Sequence, residues 1–186
     1  MGQAVTVVWL PLGAGGRFVA RNGRAYERLL ARREGRVAQP LFHAALELVG
    51  GDGPAIIELA PAWGARSGGA GVALTGPVGA RWAGRLRALR YEVRVVPGGA
   101  IPDRAWARGE DVVSAHAADA DRILALAPTV PRLTWGRDEA GTGDMWNSNS
   151  VISWLLARAG LDAARLGPPD GGRAPGWQAG LTIAQR

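Results

Sequence analysis

Four small polar residues, Asn147, Ser148, Asn149 and Ser150, run directly into an apolar helical pattern near the C-terminal end of the sequence. One interpretation is a helix cap, because Asn and Ser side chains satisfy the amide groups that a helix start leaves unpaired. A cap needs one such residue, however, and here there are four. The other interpretation is a nucleophile, Ser148, at a helix N-terminus, where free N–H groups and the helix dipole stabilise developing negative charge. Trp146, Asn147 and Asn149 are then the candidates for substrate binding and oxyanion stabilisation.

A serine nucleophile needs a base that takes its proton during attack. The sequence has two histidines, His43 and His116, and His43 lies in an apolar stretch with strand periodicity. Alternation places His43, Ala45 and Glu47 on the face opposite Phe42. A strand histidine is more often structural or exposed than chemical, so this alternative stays open. His116 follows Ser114, a candidate helix cap, and is expected to be exposed and remote from Ser148.

Glu58 interrupts a second apolar strand and needs a partner or water, because an unpaired buried carboxylate is costly. If residues 50–53 form the loop of a hairpin, Val49 pairs with Pro54 and Ala45 faces Glu58. Glu58 then lies diagonal to His43 on the same face, about 7 Å away. A three-residue loop would move Glu58 to the other face. Glu47 shares the face but is roughly 13 Å along the strand from His43.

Periodicity and turn residues predict an α+β fold, with an antiparallel sheet of about five strands and packed helices. The Ser148 helix is expected to pack on that sheet and to end at Gly160. The C-terminal segment 167–186 is rich in Pro and Gly, with a loop over 168–180 and an edge strand over 181–184. The chain is expected to be one domain over 1–186, with its core at about 40–160. The predicted strands are Val5–Leu10, Phe42–Val49, Ala55–Ala60, Gly71–Thr75 and Tyr91–Val96; further helices are predicted over Ala25–Arg33 and from Ser114 to about Ala127, and Arg81–Leu89 is ambiguous.

An Asn-Ser-Asn phrase opening a C-terminal helix, with a strand histidine much earlier, resembles the circularly permuted papain-like superfamily. That group includes NlpC-like peptidases, the lecithin–retinol acyltransferase type and desumoylating-isopeptidase-like proteins. Many members open the helix with Asn-Cys or Asn-Cys-Asn, and this sequence looks like a bacterial branch with Asn-Ser-Asn. The resemblance covers roughly residues 40 to 160. Three flanking stretches also resemble proteins of actinobacteria: Phe42–Ala45, Ile57–Pro61 and Gly172–Trp177.

The resemblance implies that Ser148 is the nucleophile, His43 the general base and Glu58 the group that orients the imidazole. The departure from the pattern is serine in place of cysteine. A helix N-terminus lowers the pKa of a thiol enough to ionise it at neutral pH, but it does not ionise a hydroxyl. Serine therefore implies either a true Ser–His–Glu enzyme or a site that has lost its chemistry.

Composition excludes several classes of site. The chain has no cysteine, so disulfides and thiolate metal sites are absent, and two separated histidines argue against a His-rich metal site. No residue pattern calls for an organic cofactor. No apolar run reaches the roughly 18 residues of a membrane span, and the N-terminus lacks the basic region of a signal peptide, which favours a cytoplasmic protein.

The formal net charge is +6 and all 22 basic residues are arginine. Arginine without lysine, together with abundant Ala and Gly, is typical of a GC-rich bacterial genome, which weakens the charge as evidence for nucleic-acid binding. Five arginines nevertheless recur at helical spacing: Arg17, Arg21, Arg24, Arg28 and Arg32. They form either a solvated stripe, partly neutralised by Glu27 and Glu34, or a docking face for phosphates or anionic lipid.

Three hypotheses follow. The first is a Ser-dependent hydrolase or acyltransferase acting on an amide or ester, with a small-molecule, peptide or acylated substrate. The second is a catalytically inactive papain-like module that binds such a ligand. The third is a basic protein that uses the Arg17–Arg36 face to bind nucleic acid or an anionic surface. An active-site serine probe separates the first from the others, and salt-sensitive binding singles out the third.

Overall fold

A computed structural model of the chain describes residues 3–13, 25, 27–62 and 71–186. Six strands form a single antiparallel sheet in the order β4-β5-β3-β2-β1-β6. The strands are β1 (Val5–Pro11), β2 (Phe42–Gly50), β3 (Gly53–Pro61), β4 (Val72–Pro77), β5 (Arg90–Pro97) and β6 (Gly109–Ser114). The helices are α1 (27–33), α2 (Ala117–Leu126), α3 (Ser148–Arg158) and α4 (Trp177–Ala184).

The α+β class and the hairpin of β2 and β3 are confirmed. Val49 pairs with Pro54 and Gly50 with Gly53, and Gly53 has φ +102°, a value that glycine adopts without steric cost. The sheet has six strands rather than about five. The additional strand, β6, pairs with β1 and carries Glu110 and Asp111, so its sequence lacks the apolar enrichment that marks a buried strand.

The C-terminal segment differs from expectation. The predicted edge strand over 181–184 is wrong and the predicted loop over 168–180 ends at residue 176, because Trp177–Ala184 forms helix α4. Trp177, Leu181 and Ala184 are buried at spacings of four and three, which is one helical face. Their contact with α3 outweighs the weak helix propensity of Thr182 and Ile183.

The main core lies on the face of the sheet that carries α2, α3 and α4. Phe42, Ala44 and Leu46 of β2 belong to it, together with the apolar side of α3. The opposite face has a smaller apolar cluster in which Ala45 packs with Ile101 of the loop after β5. In the described part of the chain, no helix is long and apolar enough to cross a membrane.

Gly180 sets the distance between α3 and α4. A Cβ at this position would lie 2.1 Å from the carbonyl oxygen of Ser150 and 2.1 Å from Ser153 Oγ. Gly180→Ala is therefore expected to lower the free energy of unfolding by about 1–3 kcal/mol, the cost of overpacking a closed interface. Urea denaturation measures the change. Gly167→Ala is the matched control, since a Cβ there meets nothing within 4 Å; equal effects of the two substitutions would contradict close packing at Gly180.

Candidate functional site

The N-terminus of α3 is capped by Asn147. Its Oδ1 accepts hydrogen bonds from the backbone N–H of Asn149 (2.8 Å) and of Ser150 (3.4 Å). In return, Ser150 Oγ accepts from the backbone N–H of Asn147 (3.0 Å) and donates to the carbonyl of Met145 (3.1 Å). This is a reciprocal capping box, which satisfies donors that a helix start leaves unpaired. The capping interpretation therefore holds for Asn147 and Ser150.

Asn149 fastens the start of α3 to strand β2. Its Oδ1 accepts from the backbone N–H of Ala44 (2.8 Å), and its Nδ2 donates to the carbonyl of Phe42 (3.0 Å). These two backbone groups flank His43 on either side. The residue that follows Ser148 is thus hydrogen-bonded to both neighbours of His43.

This contact occurs where β2 and β3 separate. The pairing of the two strands runs from Gly50–Gly53 to Leu46–Ile57. Beyond Leu46, the β3-facing backbone groups of β2 are taken by other partners: Ala44 by Asn149, and the Phe42 N–H by the carbonyl of Arg173 (2.8 Å). The start of α3 therefore occupies the gap between the two strands.

The C-terminal segment is hydrogen-bonded to the start of α3. The carbonyl of Pro175 accepts from Nδ2 of both Asn147 and Asn149, at 2.8 Å each. The backbone N–H of Gly176 donates to Asp144 (2.6 Å), a carboxyl whose pKa is raised by burial. Gly176 has φ +90° and lies so close that a Cβ would come within 2.4 Å of Asn147 Oδ1. The sequence interpretation missed Asp144 and Pro175. Pro175 acts through its backbone carbonyl, which its residue type does not reveal, and no local pattern shows that the Asp144 carboxylate accepts from a distant backbone N–H.

Ser148 differs from its three neighbours. Its side chain is half-buried and makes no hydrogen bond within the described part of the chain, whereas Asn147, Asn149 and Ser150 are all engaged in the cap or the strand contact. Its backbone N–H, at the first helical position, also has no acceptor among the described residues. With respect to the described residues, Ser148 therefore combines a hydroxyl and an amide without partners at the positive end of the helix dipole.

His43 lies on the face of β2 opposite α3. Phe42 and Ala44 pack in the α3 core while Ala45 packs on the other side, so alternation directs His43 away from α3. Burial lowers the pKa of His43, and the Asp103 carboxylate opposes this shift. The imidazole is therefore neutral at pH 7, the form that acts as a base. The sequence interpretation missed Asp103, which belongs to a loop far from His43 in the chain.

Glu58 projects on the same face as His43. The observed pairing ends at Leu46–Ile57, and alternation from Ile57, which packs in the main core, puts Glu58 on the opposite face with His43. On the other side of β3, Glu58 pairs in register with Arg94 of β5, whose guanidinium forms a buried ion pair with Glu92 (2.6 Å). Glu47, another acid on this face, is bound to Arg104 (2.8 Å).

Ser148 opens α3 on one side of the sheet, whereas His43 projects from the other side. His43 and Glu58 share a face, and Asn149 links the Ser148 end of α3 to the backbone around His43. Among the described side chains, no hydrogen bond joins Ser148 with His43 or His43 with Glu58. For Ser148 and His43 to meet, their side chains have to approach each other beside the backbone of β2, in the stretch before Leu46 where β3 no longer pairs with β2.

Trp146 holds the segment that leads into α3 through a hydrogen bond to Tyr91 of β5. It is buried, and its Nε1 donates to the hydroxyl of Tyr91 (3.3 Å), which in turn donates to the carbonyl of Leu133 (3.0 Å). Burial raises the pKa of Tyr91 to about 12, so the hydroxyl stays protonated and can donate. This chain fixes the segment that leads into α3.

His116 is exposed, as expected. The prediction that Ser114 caps this helix is wrong: Ser114 is the last residue of β6, and His116 is the N-cap residue of α2, which begins at Ala117. Ser114 still shapes this turn: its Oγ accepts from the backbone N–H of His116 (3.0 Å) and donates to Asp119 (2.6 Å).

The arginine stripe falls partly outside the described residues, which do not include Arg17, Arg21 and Arg24. Arg28 and Arg32 are exposed on α1. Arg36 is neutralised by Glu27 and Glu34. Glu27 is buried and also lies 3.6 Å from Arg173. It therefore pairs with Arg36 and Arg173 rather than with Arg28 or Arg32 of the stripe.

No group of His, Cys, Asp and Glu residues within the described ranges is arranged to hold a metal ion. Comparisons with protein-family models, with curated proteins and with solved structures find no match to this chain.

Proposed function

We propose that the protein is a serine-dependent hydrolase or acyltransferase that acts on an amide or ester, with a site of the permuted papain-like type. Ser148 is the nucleophile and His43 the general base. Glu58 is the acid on His43's face that orients the imidazole. The substrate is a small molecule, a peptide or an acylated compound.

One observation carries the proposal. Of the four polar side chains that open α3, three make hydrogen bonds that form the cap or join the helix start to β2, and Ser148 makes none within the described part of the chain. A helix cap explains Asn147 and Ser150, and strand anchoring explains Asn149. Neither explains why a free hydroxyl stands between them, within one residue of the contact with the backbone around His43.

The chemistry is that of acyl transfer. His43 takes the Ser148 hydroxyl proton as Oγ attacks the acyl carbon, and the carbon–oxygen bond forms while charge collects on the carbonyl oxygen. In this scheme the N–H of Ser148, which has no acceptor among the described residues, donates to that oxyanion. The scissile bond then breaks, and the leaving group takes the proton from His43. Water or an acceptor nucleophile releases the acyl group from Ser148 by the reverse steps.

The Asn147 and Asn149 amides have a supporting role in this scheme. Their side chains are occupied by the cap, by Pro175 and by β2, so the oxyanion is assigned to the backbone of Ser148. Buried Trp146 supports the same segment through Tyr91.

A site that binds without turnover is the second candidate. It is favoured by the position of His43 on the face of β2 that points away from α3. In that case a ligand binds at the start of α3 beside Ser148, and the serine stands in a papain-like site that has lost its thiol.

Ester turnover tests the proposal. Wild-type protein incubated with an activated ester, such as p-nitrophenyl butyrate, is expected to release nitrophenol and to carry the acyl group on Ser148, which mass spectrometry of the intact and digested protein detects. The Ser148→Ala variant is expected to do neither. Turnover that persists in this variant would contradict the assignment of the nucleophile.

The Ser148→Cys variant tests whether the N-terminus of α3 lowers the pKa of a group at this position, independently of any base. A thiol at this position is expected to have a pKa near 7 or below, against about 8.5 for a free thiol. Its reaction with iodoacetamide at pH 7 is then faster than that of a free thiol. The measurement is specific to one site, because the chain has no other cysteine.

A fast thiol with an inert wild-type serine would favour the binding-only site. A slow thiol together with an inert serine would contradict both candidates and leave Ser148 as part of the helix start alone.

A further inference from the structure

The connection between β4 and β5 holds apolar side chains out to solvent. It consists of two short 3₁₀ segments, Arg81–Arg85 and Arg87–Leu89. Trp82 is 68% exposed, Leu86 54% and Leu89 36%. Three exposed large apolar side chains within eight residues of one connection indicate an interaction site more strongly than single ones scattered over a surface do.

The backbone of this connection is fixed rather than frayed. Ala83 is buried, and a Cβ at Gly84 would lie 3.1 Å from the Pro77 side chain, so the inner side of the loop packs on β4. Arg90 Nε donates to the carbonyl of Gly84 (2.6 Å), and Val78 N–H donates to the carbonyl of Leu89 (2.9 Å). The fold itself therefore directs Trp82, Leu86 and Leu89 outward.

The same segment is strongly basic. Arg81, Arg85 and Arg87 are exposed on it, and the sequence has no acidic residue from Gly76 to Tyr91. Arg81 pairs with Glu139 (3.0 Å), yet its side chain remains 81% exposed. The surface thus combines a tryptophan and two leucines with a local excess of positive charge.

We propose that this loop, residues 81–89, docks the protein on the surface of an anionic lipid bilayer. Tryptophan favours the headgroup level, leucine side chains enter the boundary of the acyl chains, and arginine attracts anionic headgroups. A nucleic acid would use the arginines and the indole but not the exposed leucines, because single strands bind through phosphate contacts and stacking on aromatic rings. The proposal does not depend on the chemistry of Ser148.

Co-sedimentation of the 186-residue chain with vesicles tests the proposal. Wild-type protein is expected to bind phosphatidylcholine vesicles that contain phosphatidylglycerol, and to bind pure phosphatidylcholine vesicles much more weakly. The double variant Trp82→Ser/Leu86→Ser should weaken binding on the order of ten-fold through the lost apolar insertion. The double variant Arg85→Gln/Arg87→Gln should weaken it to a similar degree and reduce its dependence on salt.

Trp106→Ser is the matched control, because Trp106 is 62% exposed on a different 3₁₀ segment, Arg104–Trp106. It should bind like the wild type. All of these positions are exposed, and circular dichroism verifies that each variant is folded. Equal binding by the wild type and the Trp82/Leu86 variant would overturn the proposal. So would binding to a single-stranded oligonucleotide, lost in the arginine variant, without binding to vesicles.

Discussion

His43→Ala is expected to slow the acylation of Ser148 by roughly 10²–10⁴-fold, the usual contribution of a general base to such a proton transfer. The reason is that a hydroxyl at a helix N-terminus is not ionised by the dipole, so its proton has to go to a neighbouring base during attack. The rate of reaction with an activated ester, followed by nitrophenol release, measures the effect.

The control for this substitution is His116→Ala, since His116 is exposed at the start of α2 and should leave the rate unchanged. The pH profile gives a second readout. Only neutral imidazole accepts the proton, so the rate falls as the pH drops through the pKa of His43. Burial lowers that pKa below its ordinary 6.5, and the acid limb should therefore lie below pH 6.5. An acid limb above 6.5, or an unchanged rate in His43→Ala, would exclude His43 as the base.

Asn149→Ala is expected to lower the free energy of unfolding by about 2–4 kcal/mol, because it leaves two backbone groups of β2 without partners. Asn149 is buried and makes three side-chain hydrogen bonds that join α3, β2 and the C-terminal segment. With alanine, the N–H of Ala44 and the carbonyl of Phe42 lose their acceptor and donor in a site that water does not replace easily. Chemical denaturation followed by circular dichroism measures the loss.

Ser148→Ala serves as the neighbouring control for this stability effect. Its hydroxyl has no hydrogen bond among the described residues, so its removal should change the free energy of unfolding by no more than about 0.5 kcal/mol. A large loss in Ser148→Ala would mean that the hydroxyl holds the helix start, and a negligible loss in Asn149→Ala would contradict the anchoring of α3 to β2.

The β2–β3 hairpin was predictable from local chemistry. The glycine-rich turn predicts the register Val49–Pro54, which the structure has with a loop of two residues, 51–52, rather than four, and strand alternation then puts Glu58 on the face of His43. The start of α3 was equally readable, because Asn and Ser before an apolar helical run are capping residues. The sequence did not show which of the residues 147–150 form the cap and which anchors the helix to the strand. That depends on hydrogen-bond partners in β2 and in the C-terminal segment.

The missing parts of the site depend on contacts between distant segments. The Pro175 carbonyl accepts hydrogen bonds, and the Gly176 backbone lies close to the Asn147 side chain. Neither contact can be predicted from the residue type. Helix α4 is stabilised by burial of Trp177 and Leu181 against α3, and this tertiary contact prevails over the local strand preference of Thr182 and Ile183. Asp103 reaches the surroundings of His43 only because the loop after β5 folds over that face of the sheet.

The apolar pattern of β2 also contained information on the side of the sheet that α3 covers. Phe42, Ala44 and Leu46 form its apolar face, and an apolar helix packs on such a face. The same alternation directs His43 to the other side. The gap between β2 and β3 beyond Leu46, which no local pattern reveals, is where the free end of α3 meets the strand.

Covalent labelling with a fluorophosphonate, located by peptide mass spectrometry, tests most directly whether Ser148 is a nucleophile activated by His43. The account predicts an adduct on Ser148 in the wild-type protein, none in Ser148→Ala, and labelling slowed by roughly 10²–10⁴-fold in His43→Ala. An unmodified Ser148 in the wild type, or an adduct that forms at the same rate without His43, would contradict it.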